Sequence, residues 1–524
     1  MSESSSQSKE PQVAEAHTPL PVEVSLGEGP REGPKGKSLF STRGVQVALW
    51  FGILAAIPYA HPKLEPFRLF GKQRSNAPAS SGLVAEYGDV KLAAAKNEVP
   101  PAMKEAPPAE MQVKVGAGKA APVVLSDVAV SVGATFRPIE DPTGHALDGF
   151  FAALAKTEKG APGAITRVAH YGDSLIVSDY MSSTLRRRFQ TKFGDAGHGF
   201  VLFAKPWAWY FHQDVNHWNG EGWTANRIVN PRVADEMYGY GGATFRTTDD
   251  KANAGFSTSK PVPGDPQSEK EMFGRRVSRF EVHYLEQPDA GSVHVSIDGK
   301  HVETLSTRAP KGGGKKLVLK TYPVPDGEHS IEFRPLGGSE ARFFGTVLER
   351  DVAGVVWDAL GVNGGRARLL DVNDTAHWAE SLRARNPNLV ILQYGTNESE
   401  DTAFPMEQYE ATLAKVLEHV RAALPEAGCL VVGTMDRAGH GNGGLETRPI
   451  IPLLGAAQRK VAFKAGCAFW DTLASMGGPG SMGRWVKATP KLGGGDLTHP
   501  TTVGAALLGD LLYTALMKAY AEHG

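Results

Sequence analysis

The sequence predicts an α/β protein: a parallel sheet with helices on both faces, interrupted by an inserted antiparallel β-sandwich. Two observations carry this. Near-continuous apolar stretches such as "AGVVWDALGV" (353–362) and "NLVILQYG" (388–395) alternate with helical patterns, as strands covered on both faces do. Between 205 and 350 the pattern changes to short alternating segments, among them "GSVHVSIDG" and "GEHSIEFRPLG", parted by the turn signals "PDA", "DGK" and "PDG". That is the pattern of a sandwich. The chain has no internal repeat of fixed period.

Taken in order, residues 1–43 are polar and Ser/Glu/Pro-rich, the composition of a disordered tail. "GVQVALWFGILAAIPYA", Gly44 to Ala60, is an uncharged run of 17 residues, at the short end of what spans a bilayer. Its leader is too long for a cleaved signal peptide, and no small-x-small cleavage site follows. A single membrane-anchor helix, or an export segment, is the first reading; a buried core helix is the alternative. Arg31, Lys35, Lys37 and Arg43 precede the run and Lys63, Arg68, Lys72 and Arg74 follow it, so the positive-inside rule leaves its orientation open. Residues 61–135 are rich in Ala, Pro, Lys and Glu, a semi-extended linker.

The α/β domain then begins. Residues 136–204 hold its first part, with strand "AITRVAHY" and a helix over 174–192. Residues 205–350 hold the insert. Residues 351–524 hold the second part: the two apolar strands quoted above, a helix over 406–424, strand 429–435, a helix near 450–465, strand 467–472 and a helix over 501–520.

The 524 residues carry 56 basic and 57 acidic side chains, a formal charge of -1. With no basic excess, nucleic acid is excluded as a partner. Cys429 and Cys467 are the only cysteines, too few for a disulfide scaffold or a four-cysteine metal site. Each starts an apolar strand, so both read as core thiols, with one disulfide between them as the alternative. The 16 histidines include no HExxH or comparable ligand spacing, so no metal is expected.

Four stretches gather residues able to do chemistry. Three directly follow strands, at the carboxyl edge where open parallel sheets place their sites: Gly172-Asp173-Ser174, "LGVNGGRA" (360–367) and "YGTNES" (394–399). The fourth, "GGGDLTHP" (493–500), precedes the last helix. A serine hydroxyl is a poor nucleophile until a base takes its proton. His499 suits that role, since imidazole changes charge near neutral pH. Asp496, three residues earlier, is placed to hold the Nδ1 proton and fix the tautomer. The Ser174 backbone N–H, an N–H of the turn at Gly364 and the Asn397 side-chain amide are the candidate oxyanion donors. Each residue also has a plainer reading. Ser174 fits a helix N-cap, His499 a surface helix-entry residue, and Asn397 a cap for the helix after its strand. Gly361 competes with Gly364, and His198 is a rival base that reads as a loop residue. Asp173 suits a brace for the corner.

In the order GDS, Gly, GxN and DxxH, the chain resembles the SGNH hydrolases, also called the GDSL family. Ser174, Gly364, Asn397 and His499 match the four name-giving residues, and Asp496 matches the triad aspartate. The family's third block usually reads Gly-x-Asn-Asp; here it is Gly395-Thr396-Asn397-Glu398, which keeps the amide and a carboxylate. The resemblance covers about 165–203 and 351–520. It implies a flavodoxin-like sheet and serine-ester hydrolysis without a cofactor.

The layout is similar, more narrowly, to the peptidoglycan O-acetylesterase branch. The shared features are "FGDAGHGF" (193–200), a β insert between the first and second blocks, "GPGSMGRWV" (478–486) and an N-terminal membrane or export segment. This likeness implies an acetylated polysaccharide or peptidoglycan as substrate and an insert akin to a carbohydrate-binding module. It places the catalytic domain in the periplasm or outside, anchored through 44–60 in a bacterial-type envelope. Two alternatives stand: a polysaccharide O-acetyltransferase with the same catalytic residues, and a glycan-binding wall protein without catalysis. Substrate-binding residues are not assigned. The cluster "KPWAWYFHQDVNHW" holds Trp207, Trp209, Tyr210, Phe211 and Trp218. It reads as a sugar-stacking platform or, for most members, as core, because Trp207, Trp209 and Phe211 alternate like one strand face. Arg186, Arg187 and Arg188 read as a solvated helix face.

Overall fold

The computed structural model describes residues 127–260, 273–401, 403–441 and 443–523. The tail, the 44–60 segment and the linker up to 126 lie outside the described residues. Among the described residues, no helix is long and apolar enough to cross a membrane.

Five strands form the parallel sheet: β1 (Ile165–Gly172), β2 (Gly354–Gly361), β3 (Leu389–Gln393), β4 (Gly428–Val432) and β5 (Ala468–Trp470). Their spatial order is β2-β1-β3-β4-β5, the flavodoxin-like order, whose switch point lies between β1 and β3. All residues of β2, β3 and β4 are buried, because both faces are covered. Val168, Trp357, Ile391, Leu430 and Trp470 face one cluster, which includes residues of helices α1 (Asp148–Glu158), α3 (Tyr180–Phe193) and α7 (Thr502–His523). Tyr171, Leu360, Leu392, Val431 and Phe469 face the other, with α4 (Thr375–Arg385), α5 (Met406–Ala423) and α6 (Ile450–Lys464). The inward stripe of α5 (Tyr409, Leu413, Val416, Leu417 and Val420) has the spacing of one helical face.

The single helix expected over 174–192 is two. Helix α2 (Ser174–Val177) stops before Asp179, whose φ of 55° breaks the helix, and α3 follows. The Asp179 carboxylate is drawn to Arg186 Nη2 at 2.7 Å.

Between β1 and β2 the chain builds two antiparallel sheets. One has the order Lys316–Gly327, Val277–Glu286, Ala341–Glu349, Ala243–Thr247, Thr224–Arg227, and Gly199–Leu202 also pairs with Ala341–Glu349. The other has the order Val215–Asn219, Ala254–Thr258, Ser330–Pro335, Ser292–Ile297, Lys300–Ser306. The first strand of this region therefore lies ahead of 205. At the other composition boundary, Ala129, Val132, Ala134 and Phe136 are buried, so packing begins ahead of 136.

The sandwich core runs without a break into the α4–α5–α6 face of the parallel sheet: Phe203, Phe245 and Phe343 belong to the same cluster as Tyr171 and Trp378. A buried polar network crosses the junction. Tyr171 Oη donates to the Tyr240 carbonyl at 2.9 Å. Tyr240 Oη donates to Asp358 at 2.9 Å, and Arg385 donates to both oxygens of that carboxylate. Arg385 and Arg167 also pair with buried Glu349. Removing a charged member would leave its buried partner unpaired, so the network locks the insert to the parallel-sheet domain.

Two expectations are corrected. Cys429 and Cys467 are bonded to each other rather than free. Leu430 of β4 pairs with Ala468 of β5, so the preceding cysteines stand opposite each other, a juxtaposition that exists only once the strand order is known. Arg186 is buried against Asp179 and Asp214, Arg187 pairs with Asp214, and Arg188 pairs with Asp510; the run is an ion-pair array, not a solvated face.

Candidate active site

Strand β1 ends at Gly172, level with Gly361 of β2 and Gln393 of β3. A Cβ on Gly172 would stand 2.4 Å from Ile176 Cγ1, so close packing of α2 demands glycine there. Asp173 caps that helix: its carboxylate accepts the Leu175 N–H at 3.0 Å. This leaves the Ser174 hydroxyl free of capping duty, and Asp173 braces the corner. Burial pushes the Asp173 carboxyl up to about 6, against the hydrogen bond from Leu175.

The Ser174 hydroxyl lies 2.7 Å from His499 Nε2, and His499 Nδ1 lies 2.6 Å from Asp496 Oδ2. With Nδ1–H donated to the carboxylate, Nε2 is the acceptor, so the serine hydroxyl donates to it. Asp496 also accepts the backbone N–H groups of Thr498 (3.1 Å) and His499 (3.0 Å). Burial pulls its carboxyl up, but the hydrogen bonds from the His499 ring and these two amides outweigh that and hold it below the usual range. The site is open: the His499 and Asp496 side chains are 42% and 53% exposed.

The two candidate oxyanion glycines part company. A Cβ on Gly361 would lie 2.3 Å from the Val177 nitrogen, whereas one on Gly364 would meet nothing within 4 Å. Gly361 is a packing glycine beneath α2. Gly364 has φ +73° in an open turn, a conformation that favours glycine. Asn397 makes no side-chain cap bond. Its Nδ2 donates to the Gly365 carbonyl at 2.9 Å, which fixes the amide and leaves its second N–H for a ligand.

Some residues that shape the site were missed. Glu398 was noted as a substitution but given no role; its carboxylate accepts Ala367 N–H (2.8 Å) and Gly395 N–H (3.0 Å). Arg437 donates to Thr396 O (3.2 Å), Ser399 Oγ (2.9 Å) and Thr498 Oγ1 (3.1 Å), tying the Asn397 loop to the His499 loop. Its only signal was a position shortly after a strand, outside any motif.

His198 is buried, with Nε2 2.8 Å from His212 Nδ1; it partners His212, not Ser174. Asp179, His198 and His212 bring possible ligand atoms within 4.8 Å of one another. Yet Asp179 already accepts from Arg186 on both oxygens and from Ser182 and Gln213 N–H. That donor set describes a satisfied ion pair rather than a cation site.

The aromatic segment does not form the expected strand. Tyr210 is buried and Trp207 partly so, but Trp209 and Phe211 are 58% and 48% exposed. The segment is tied to the helix that begins at Ser174 and to Asp179: Phe211 N–H donates to Val177 O (3.5 Å), and Gln213 N–H donates to Asp179 (2.9 Å).

Residues 332–507 match the GDSL-like Lipase/Acylhydrolase family. The match contains Gly364, Asn397, Asp496 and His499; the Ser174 block precedes the insert in sequence and lies outside the match. The chain thus carries a GDSL-like acylhydrolase domain. Among solved structures, a peptidoglycan O-acetylesterase is similar at TM-score 0.58 and 21% identity, over 71% of this chain and 96% of that one. A family two carbohydrate esterase from Clostridium thermocellum gives TM-score 0.23 and 11% identity, over 56% and 97%. An acetyl xylan esterase gives TM-score 0.25 and 17% identity, over 31% and 80%. No curated protein matches the chain.

Proposed function

We propose that this GDSL-like acylhydrolase removes O-acetyl groups from a cell-wall glycan, through an acetyl-enzyme on Ser174. The Ser174–His499–Asp496 relay, at 2.7 and 2.6 Å, carries the proposal. His499 Nε2 takes the Ser174 proton as Oγ attacks the acetyl carbonyl. Asp496 holds the ring in the required tautomer and stabilises the imidazolium. The Ser174 N–H, the Gly364 turn and the Asn397 amide receive the oxyanion. His499 returns the proton to the departing sugar oxygen, leaving acetyl on Ser174. It then takes a proton from water as that water attacks the acetyl-enzyme, and passes the proton to Ser174 Oγ as the Oγ–acetyl bond breaks and acetate leaves.

Two observations favour a polymer over a small enclosed substrate. The relay is open to solvent, and Trp209 and Phe211 stand exposed on a segment bonded to α2. Aromatic faces offer broad apolar contact to sugar rings. We also propose that the domain works outside the cytoplasm, with 44–60 as its anchor. The Cys429–Cys467 disulfide supports an oxidising compartment.

The test is Ser174→Ala against an acetylated chromogenic ester and an O-acetylated glycan. Acetate release should vanish from both in folded protein; undiminished turnover would sink the proposal.

A further inference from the structure

Glu398 is a buried acid that the acyl-transfer steps do not use. It follows Asn397 directly, and its two oxygens reach in different directions. Oε2 accepts Gly395 N–H from its own loop (3.0 Å), and Oε1 accepts Ala367 N–H from the glycine turn (2.8 Å). The same two loops meet again where Asn397 Nδ2 donates to Gly365 O (2.9 Å). They meet a third time where Arg366 pairs with Asp401 through both carboxylate oxygens (2.7 and 2.8 Å). Three consecutive residues of the turn, Gly365 to Ala367, are thus bonded to the segment 397–401.

The geometry points to Glu398 as a positioning residue that holds the Gly364 turn and the Asn397 amide at one fixed spacing, so that both donors meet the same oxyanion. This rests on the esterase reading above. The chemistry of the group fits the task. Two backbone N–H donors converge on it, and only an ionised carboxylate offers an acceptor to each without also presenting a donor. Burial, then the neighbouring Asp173 charge, push its carboxyl up to about 7, against the Ala367 hydrogen bond and the Arg366 charge. A carboxylate kept there at such a cost in solvation is not what stability alone would select, since a neutral amide fills the same volume.

The test is Glu398→Gln, with kcat and KM measured on a small acetylated ester at pH 8 and the melting midpoint at the same pH. Glutamine must turn its NH2 group toward one of the two N–H donors, so the loops should part. A misplaced oxyanion donor acts on the transition state alone. The expected result is a fall in kcat of about 10- to 100-fold, KM within about twofold, and a melting midpoint no lower than that of the native protein. A folded variant with native kcat would overturn the proposal, as would a loss of kcat matched by a lower melting midpoint. If the glutamine variant does not fold, Glu398→Asp is read instead. It keeps the charge but is one methylene too short to span both donors, and native kcat in it overturns the proposal equally. The native chain run alongside separates the two claims: if it turns over no ester, the esterase reading has failed, whereas native turnover with an unaffected variant rejects only the role of Glu398.

Discussion

Asp496 binds His499 twice, through the ring Nδ1 at 2.6 Å and through the backbone N–H at 3.0 Å. One carboxylate therefore sets both the loop and the tautomer. In Asp496→Asn the side-chain oxygen can still accept the backbone N–H groups, but the amide donor cannot accept from Nδ1–H. The fold should survive, with a melting midpoint within a few degrees of native, while kcat/KM on an acetyl ester falls about 10³- to 10⁴-fold. A loss below about tenfold would show that the ring is held by other means.

In the proposed mechanism Asn397→Ala deletes an oxyanion donor, and it also removes the bond to the Gly365 carbonyl. Its kcat should fall about 10²- to 10³-fold with KM nearly unchanged. Steady-state kinetics with one small ester decide this; a change confined to KM would assign Asn397 to substrate binding.

Trp209 and Phe211 are exposed, while Tyr210 between them is buried. The double variant Trp209→Ala/Phe211→Ala should raise KM for an O-acetylated glycan about tenfold or more, as loss of about 1.4 kcal/mol of ring contact requires. It should leave turnover of a small acetyl ester alone. Equal effects on both substrates would mean that the segment shapes the site rather than the sugar subsite.

Glu398 also sets a pH dependence. Asp173, Arg366, Tyr394 and Tyr409 surround it electrostatically. Its carboxyl titrates at about 7 in the fold, above the usual 4.5, so the folded state binds the extra proton. Its contribution to stability is complete below pH 4.5 and is lost as pH rises through 7. Glu398→Gln should therefore gain stability relative to the native protein between pH 5 and pH 8, by on the order of 3 kcal/mol. Denaturant melts across that range measure the difference, and a constant difference would contradict it.

Much of this was legible in the sequence for a simple reason. Strands covered on both faces must be apolar along their length, so β2, β3 and β4 announced themselves, as did the helical stripe of α5. Ser174, Asn397 and His499 stood in short motifs at strand ends or before a helix, where local chemistry and sequence order agree. What was lost depended on long-range pairing. Cys429 meets Cys467 only because β4 lies beside β5. Arg186 is buried because Asp179 leaves the helical path and waits for it. Trp209 and Phe211 alternate like a strand, but the backbone of Phe211 is tied to α2 and that of Gln213 to Asp179, and both rings stand in solvent. Glu398 and Arg437 join loops far apart in sequence and so carried no local pattern.

The central claim is that Ser174 is the nucleophile. Mass spectrometry of the protein after a serine-directed phosphonate tests it most directly. The expected result is one adduct on the peptide containing Ser174, absent from Ser174→Ala together with acetate release. An adduct on another serine, or none while the native protein still releases acetate, would contradict it.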